Sequence, residues 1–546
     1  MTAAQGRRAG AALVVALLAA GCTGGEVTPP PSDPPSAAAG ATASPEPTSS
    51  GAADAENAPR VVETTLLGDP VSLEVGPLVV QGDVAVLRLA TVTSSTTFLM
   101  TAMAESFEGA SPGPTGVRLL DRGAGTVLVP ARTATGAPAT TSNTSPGGPA
   151  TDAAVRAVGE GASVVYGIYA VPTGDTVDVV LTEGGTVAGI PVVDVADASE
   201  WTVPLEEISE PVADARALPL ERWVELLDGE VRTRDTPEQV ALDLASDVLF
   251  ASDSDALGPD AEGALAALAA QVTAAGDGAG GALTVVGHTD DVADDPYNLD
   301  LSRRRAAAVA SRLGQLVDLS SWTVTVDGRG EAEPLVPGTD PASRALNRRV
   351  QVLLARPAAA AEDTAATVDT AAPIVDDGTP LPPPAGPTAT GDEGVDIVDS
   401  GIPVQVRLPE VRRLGGMLVG DLEVTNEGTT YLTATAFGLG ASDARGANDT
   451  TLIWAATNVT LPVGSTRVYP LDYVGRPEPL RREPMADRTI TGVGPGDTRI
   501  VSVVWPDTGQ DTVVVEVAPH QVDSYLGLVP PPPAPFRLTD VPVVEG

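Results

Sequence analysis

The sequence predicts a multidomain chain whose centre is an α/β sandwich of order β-α-β-α-β-β, flanked by two mainly-β, sandwich-like regions. Three observations predict it. Short runs of alternating apolar and polar residues, punctuated by Gly and Pro, fill the chain before residue 200 and after residue 402. Between Val240 and Leu354 two stretches of helical periodicity replace part of that alternation. Segments poor in core-forming residues separate these regions, and 546 residues suit three or four domains.

The charge narrows the function classes. The formal net charge is −41, the chain has no Lys, and two His aside every basic residue is Arg. A phosphate backbone needs a compensating basic face, so nucleic acid is excluded as the main partner. The acidity itself reads as a solvated, non-sticky surface.

At the N-terminus Arg7 and Arg8 precede an apolar run, Ala9 to Ala20, then Gly21 and Cys22. The run is too short to span a bilayer and reads as an export signal over residues 1–21. Cys22 is the only cysteine, so it forms no intramolecular disulfide. Its place after small residues resembles the lipobox of bacterial lipoproteins, although Ala19 stands where that family usually has Leu. The resemblance implies that Cys22 carries a fatty-acyl anchor (palmitate) and becomes the first mature residue.

Residues 22–58, rich in Pro, Ser, Ala and Thr, read as a flexible tether. Residues 59–200 read as a β-rich domain, with strand-like runs at Val84 to Leu89 and Val177 to Leu181 and a long surface loop over 137–152. Residues 201–236 read as a connector, where Leu220, Trp223, Val224 and Leu227 have the spacing of a short helix. After the central domain, 237–356, a disordered acidic and Pro-rich linker is expected over 357–401. A second β-rich domain follows at 402–535, then a tail, 536–546. The two β regions share a weak pattern. Pro172 to Val177 follows the apolar run Val164 to Tyr169, and Pro506 to Val513 follows Ile500 to Trp505. Duplication and coincidence both account for it.

Within the centre, Val240, Leu242 and Leu244 alternate as a strand. A helix begins near Pro259, with Leu265, Leu268, Ala269 and Val272 on one face. Leu283 to Val286 is a short strand ending in Gly287-His288-Thr289-Asp290. A second helix is expected from about Ser302, burying Ala306, Val309, Leu313 and Leu316. Strands at Trp322 to Val326 and Val350 to Leu354 close the domain. Asp290 falls just beyond a strand end. With the helix starting at Ser302, Arg305 sits in its first turn, where a cation opposes the helix dipole unless an anion lies nearby. Such a pair suits a zwitterionic amino-acid centre. Equally, Asp290 caps a turn and Arg305 pairs with Asp300 or Asp291 on the surface.

The run Gly287-His288-Thr289-Asp290, then Tyr297-Asn298, Leu301-Ser302, Arg305-Ala306, Gly328, Gly330, Glu331, Pro334 and Asn347-Arg348-Arg349-Val350 resembles the C-terminal domain of the outer membrane protein A (OmpA) family. The resemblance covers about a fifth of the chain. It implies non-covalent binding of peptidoglycan, with Asp290 taking the ammonium and Arg305 the carboxylate of the diaminopimelate in the peptide stem. It further implies that Thr289, Asn298, Leu301, Asn347 and Arg349 shape the pocket. One position departs: many relatives carry Gly three residues after the binding Asp, and here it is Ala293.

No serine has a nucleophile-elbow setting, and His288 with Asp290 lacks a nucleophile, so no catalytic residue, cofactor or metal site is assigned. The acidic loop Asp290, Asp291, Asp294 and Asp295 offers oxygens to Ca²⁺ without the spacing of an EF-hand. The resemblances imply a lipid-anchored cell-envelope protein linking membrane to diaminopimelate-containing wall, not an enzyme. The Ala/Gly-rich, all-Arg composition suits the outer face of the cytoplasmic membrane of an actinobacterium, or the outer membrane if the source is Gram-negative. The competing reading is an envelope hydrolase, or an adhesion or assembly protein docking another envelope protein, that uses this domain only for wall targeting.

Overall fold

The computed structural model describes residues 57–91, 114–136, 163–196, 211–276, 280–336, 338–356, 376–434, 456–476, 481–487, 491–519 and 534–546, with isolated positions between them. The export signal, Cys22 and nearly all of the tether lie outside the described residues, as do most of the loop 137–152 and of the linker 357–375. No helix among the described residues is long and apolar enough to cross a membrane.

The protein has several domains, a large mixed β-sheet core and few helices. Twenty-six described strands join in one network of pairings. In the central domain the strand Gln239–Ala245 pairs antiparallel with Arg349–Ala355, which pairs antiparallel with Gly281–His288; the edge strand Trp322–Gly330 lies parallel to the last. The helices Ala261–Gly276 and Asp295–Leu316 cover one face, burying Leu265, Leu268, Val272, Ala306, Val309 and Leu313 against Leu242, Leu244, Leu283, Val285, Val350 and Val352. The β-α-β-α-β-β order therefore holds, with two short helices added at Ser246–Leu249 and Pro341–Asn347.

The second helix corrects an expectation. It begins at Asp295, not near Ser302, because the Asp294 side chain accepts from the Tyr297 amide at 3.0 Å and Pro296 follows. Arg305 thus lies about three turns inside the helix.

The connector also differs from its reading. Residues Val212–Leu226 form one long strand, not a short helix. Leu220 enters an apolar cluster with Leu120, Leu414 and Tyr473, whereas Trp223 packs on Tyr469. Different domains cover its two faces, so the apolar positions lose the alternation of a half-buried strand and mimic helical spacing. This strand pairs with Val231–Asp235, which in turn pairs with Gln239–Ala245. Val231 belongs to the central core, so the central sheet extends beyond the expected start at 237.

The two β-rich regions share their pairing scheme. In the first, Arg60–Leu66, Asp69–Gln81, Val84–Thr91 and Ser163–Ala170 pair antiparallel in that order. In the second, Val395–Asp399, Ile402–Arg407 with Val411–Leu414, Met417–Asn426 and Thr498–Pro506 do the same. A hairpin (Arg118–Asp121 and Thr126–Thr133, or Val459–Val463 and Thr466–Val468) pairs through its first strand with Thr176–Val180 or Thr512–Val517. The final strand, Thr186–Asp194 or Phe536–Glu545, runs antiparallel to that one and returns parallel to the second strand of the first set. This correspondence is what duplication predicts.

Two other boundaries shift. Residues 536–546 are not a tail: Phe536, Leu538 and, past a register shift, Val541 are buried in the second β core. Part of the expected linker is also structured, since Thr388–Thr390 pairs with the final strand and Val395–Asp399 opens the second β domain. Its Pro and acidic residues mask those buried apolar positions.

Candidate functional site

The strand Gly281–His288 delivers the loop 289–294, and the loop ends at the helix cap Asp294. Helix and sheet approach closely here. A Cβ on Gly287 would meet the Ser302 carbonyl oxygen at 2.0 Å, and one on Gly328 would meet the Ser302 hydroxyl at 2.5 Å. Gly330, at φ +55°, donates its amide to that hydroxyl at 3.0 Å. Three of the glycines quoted in the family pattern are thus explained by contact with one turn of helix.

Asn298 ties the loop down. Its side-chain amide donates to the carbonyls of Asp290 (3.1 Å) and Ala293 (3.2 Å) and to the Glu331 carboxylate (2.6 Å). The Ala293 backbone does not take a positive φ, so it needs no glycine. Thr289 is buried and donates its amide to the Gly330 carbonyl at 2.9 Å.

Asp290 is only partly shielded, and its Oδ2 accepts from Arg348 at 2.8 Å. Arg348 also forks onto Asp247, at 2.8 and 2.5 Å, and Asp247 more than Asp290 raises its proton affinity. Arg305 is buried, 5% exposed over the whole residue. Its Nε donates to the Ser254 carbonyl at 2.9 Å, and the guanidinium lies over the Phe250 ring, 5.2 Å from its centre. Burial lowers its pKa, with the Asp247, Asp253 and Asp290 charges opposing that shift. The structure therefore brings Asp290 and Arg305 into one electrostatic neighbourhood without pairing them. The dipole argument for Arg305 fails, because the residue is not in the first turn. The surface pairings are made by neighbours instead: Asp300 with Arg304 and Asp291 with Arg344.

The remaining expected pocket residues are supports. Leu301 is buried on the helix. The Asn347 side chain exchanges hydrogen bonds with both backbone groups of Val336 at 3.0 Å. Arg349 lies 3.6 Å from Asp243 under the site. Beside it, His288 is buried, and desolvation followed by the Arg349 and Arg329 charges pushes it down to about 3, so it stays neutral. Sequence reasoning missed Arg348, Asp247, Ser254 and Phe250. The arginine pair in Asn347-Arg348-Arg349 held the signal: strand alternation turns Arg349 inward and leaves the residue before the strand to face the loop.

The acids of the loop are already engaged, Asp290 and Asp291 with arginines and Asp294 as a cap. Among the described residues no group of three or more His, Cys, Asp or Glu is placed to hold a metal. The arrangement is suited to binding a ligand that carries both charges, through one partly exposed carboxylate and one buried guanidinium.

Residues 249–348 match the model of the OmpA family. The chain is 31% identical over 140 residues to the putative lipoprotein YfiB of Escherichia coli, spanning 22% of this chain and 84% of that protein. It is 32% identical over 111 residues to the outer-membrane lipoprotein YfiB of Pseudomonas aeruginosa, spanning 20% and 64%. Among solved structures, the peptidoglycan-associated lipoprotein from Burkholderia pseudomallei is 28% identical, with 20% of this chain and 88% of that chain covered and a TM-score of 0.17. For several of the curated relatives it matches, the chain spans less than two thirds of their length.

Proposed function

Since the chain belongs to the OmpA family through its central domain, we propose that it binds cell-wall peptidoglycan non-covalently and links the cell envelope to the wall. In this reading the protein is a binder, not an enzyme. The ligand centre is the diaminopimelate of the peptide stem. The observation that carries it is the placement of the buried Arg305 guanidinium beside the loop of Asp290, close enough for the two charges to act on one another without an ion pair between them. Asp290 takes the ammonium through Oδ1, whose one other contact is a long bond from the Val292 amide at 3.4 Å, and the outer nitrogens of Arg305 take the carboxylate. Asn298 and Thr289 hold the loop in position for both. The two β domains set the distance of this site from the membrane.

The test is co-sedimentation of the mature chain with purified sacculi. Asp290→Ala and Arg305→Ala each remove one side of a charged contact, typically about 2–5 kcal/mol, and binding should drop to background. Retention of either variant at wild-type level, with its fold intact by circular dichroism, contradicts the site. The lipid anchor is tested separately. Cys22→Ser should release the protein from membranes or leave it unprocessed, and mass spectrometry finding bare Cys22 in membrane-bound mature protein would overturn it. The lipoprotein relatives support that anchor and a place in the cell envelope.

A further inference from the structure

We infer that the three domains form one rigid strut, spliced by the strand Val212–Leu226, which holds the wall site and the N-terminal β domain at opposite ends; the use given to the strut rests on the wall-binding reading. The backbone register carries the inference. Residues 222–225 pair with Val231–Asp235 of the central sheet, 212–219 with Thr126–Thr133 of the first β domain, and 220–221 and 224–226 with strands of the second. One uninterrupted strand therefore belongs to all three domains.

The same register gives direction. Val231, Leu244 and Val350 align at the end of the central sheet that leads into the site, and Asp235, Val240 and Leu354 align at the other end. Arg222 pairs with Asp235, so residues 212–221 run on past that far end, a reach of about 30 Å at the rise of a strand. The first β domain is built on that overhang. The second β domain lies alongside, with Thr466–Val468 as the next strand.

Side chains lock the junction. Arg234 donates to Glu221 at 2.9 Å, lies 3.7 Å from Asp472, reaches the Arg445 carbonyl and stacks on Trp223 at 4.6 Å. Arg445 pairs with Asp472, and Arg482 donates to Glu221 at 2.6 Å. Tyr469 donates to Glu225 at 2.9 Å, and Arg232 pairs with the same carboxylate at 2.8 Å. The two β domains meet through a shared apolar cluster and through Arg118, whose guanidinium donates to the carbonyls of Pro484 and Ala486. A hinge at this junction would strand several buried charges, a cost that no exposed linker carries.

The experiment is a distance measurement between spin labels at Val61→Cys and Thr325→Cys, both exposed, in the mature chain carrying Cys22→Ser. The strut predicts one narrow distance, unchanged when sacculi are added. A broad or two-peaked distribution overturns it. Arg234→Ala should broaden the distribution, with Arg482→Ala serving if that variant does not fold; no broadening in either overturns the assignment of rigidity to this junction. A narrow distance in a chain that does not sediment with sacculi keeps the strut and removes the wall-binding reading.

Discussion

The two ends of the central sheet use the same chemistry to opposite effect. At the site, Arg348 bridges Asp290 and Asp247, with the three side chains 26%, 16% and 57% exposed. At the junction, Arg234 lies between Glu221 and Asp472, at 10%, 7% and 3%. Water reaches the first set, so its partners exchange at lower cost, as the proposed binding of a ligand to Asp290 requires. Water does not reach the second, where each charge depends on a fixed partner. Exposure, rather than the identity of the pair, separates the exchangeable bridge of Arg348 from the fixed joint of Arg234.

The largest effect that tests this contrast is on stability. Arg234→Ala removes one of the two cationic partners of Glu221 and of Asp472, which keep Arg482 and Arg445, and should cost about 1.5–3 kcal/mol in denaturant unfolding. Arg348→Ala, removing an exposed bridge, should cost about 1 kcal/mol or less. Equal losses would erase the distinction between the two ends.

A smaller, pH-dependent effect concerns the floor of the site. His288 is pushed from its ordinary value of 6.5 down to about 3, chiefly by burial. Below pH 6.5 the unfolded chain takes up a proton that the folded chain refuses until about pH 3. Stability from this group is therefore complete above 6.5 and is lost as pH falls through that window, by up to about 1.4 kcal/mol per unit. Replacing His288 with Leu should flatten the acid limb of a stability–pH profile. An unchanged limb would show that the ring is not held neutral.

The smallest effect is expected on the exposed helix face. Arg303→Ala and Arg304→Ala touch only surface carboxylates and should change stability by about 0.5 kcal/mol or less, leaving sacculus binding intact. Loss of binding there would extend the recognition surface beyond Asp290 and Arg305.

The central domain was legible because helix and strand periods are undisturbed there, and because Gly287, Gly328 and Gly330 mark backbone that meets the Ser302 turn. The helix start was misread since Ser302 is a plausible cap, whereas Asp294 and Pro296 supply the real one. Val212–Leu226 was illegible for a different reason. Its two faces are covered by different domains, so neither face repeats with a period of two. Arg348 escaped notice because which of two adjacent arginines faces the loop depends on the strand register. The shared pairing scheme of the two β regions was faint in sequence, for pairing partners are fixed by backbone hydrogen bonds that different apolar side chains serve equally well.

The central claim is tested most directly by calorimetric titration of the mature chain with a purified diaminopimelate muropeptide, comparing wild type with Asp290→Ala, Arg305→Ala and Arg305→Lys. The account predicts saturable binding by the wild type and loss of about 2–5 kcal/mol in each alanine variant. Arg305→Lys should also weaken binding, because Lys keeps the charge but not the fork. Wild-type affinity in Asp290→Ala, or no binding by the wild type to any diaminopimelate muropeptide, would contradict it.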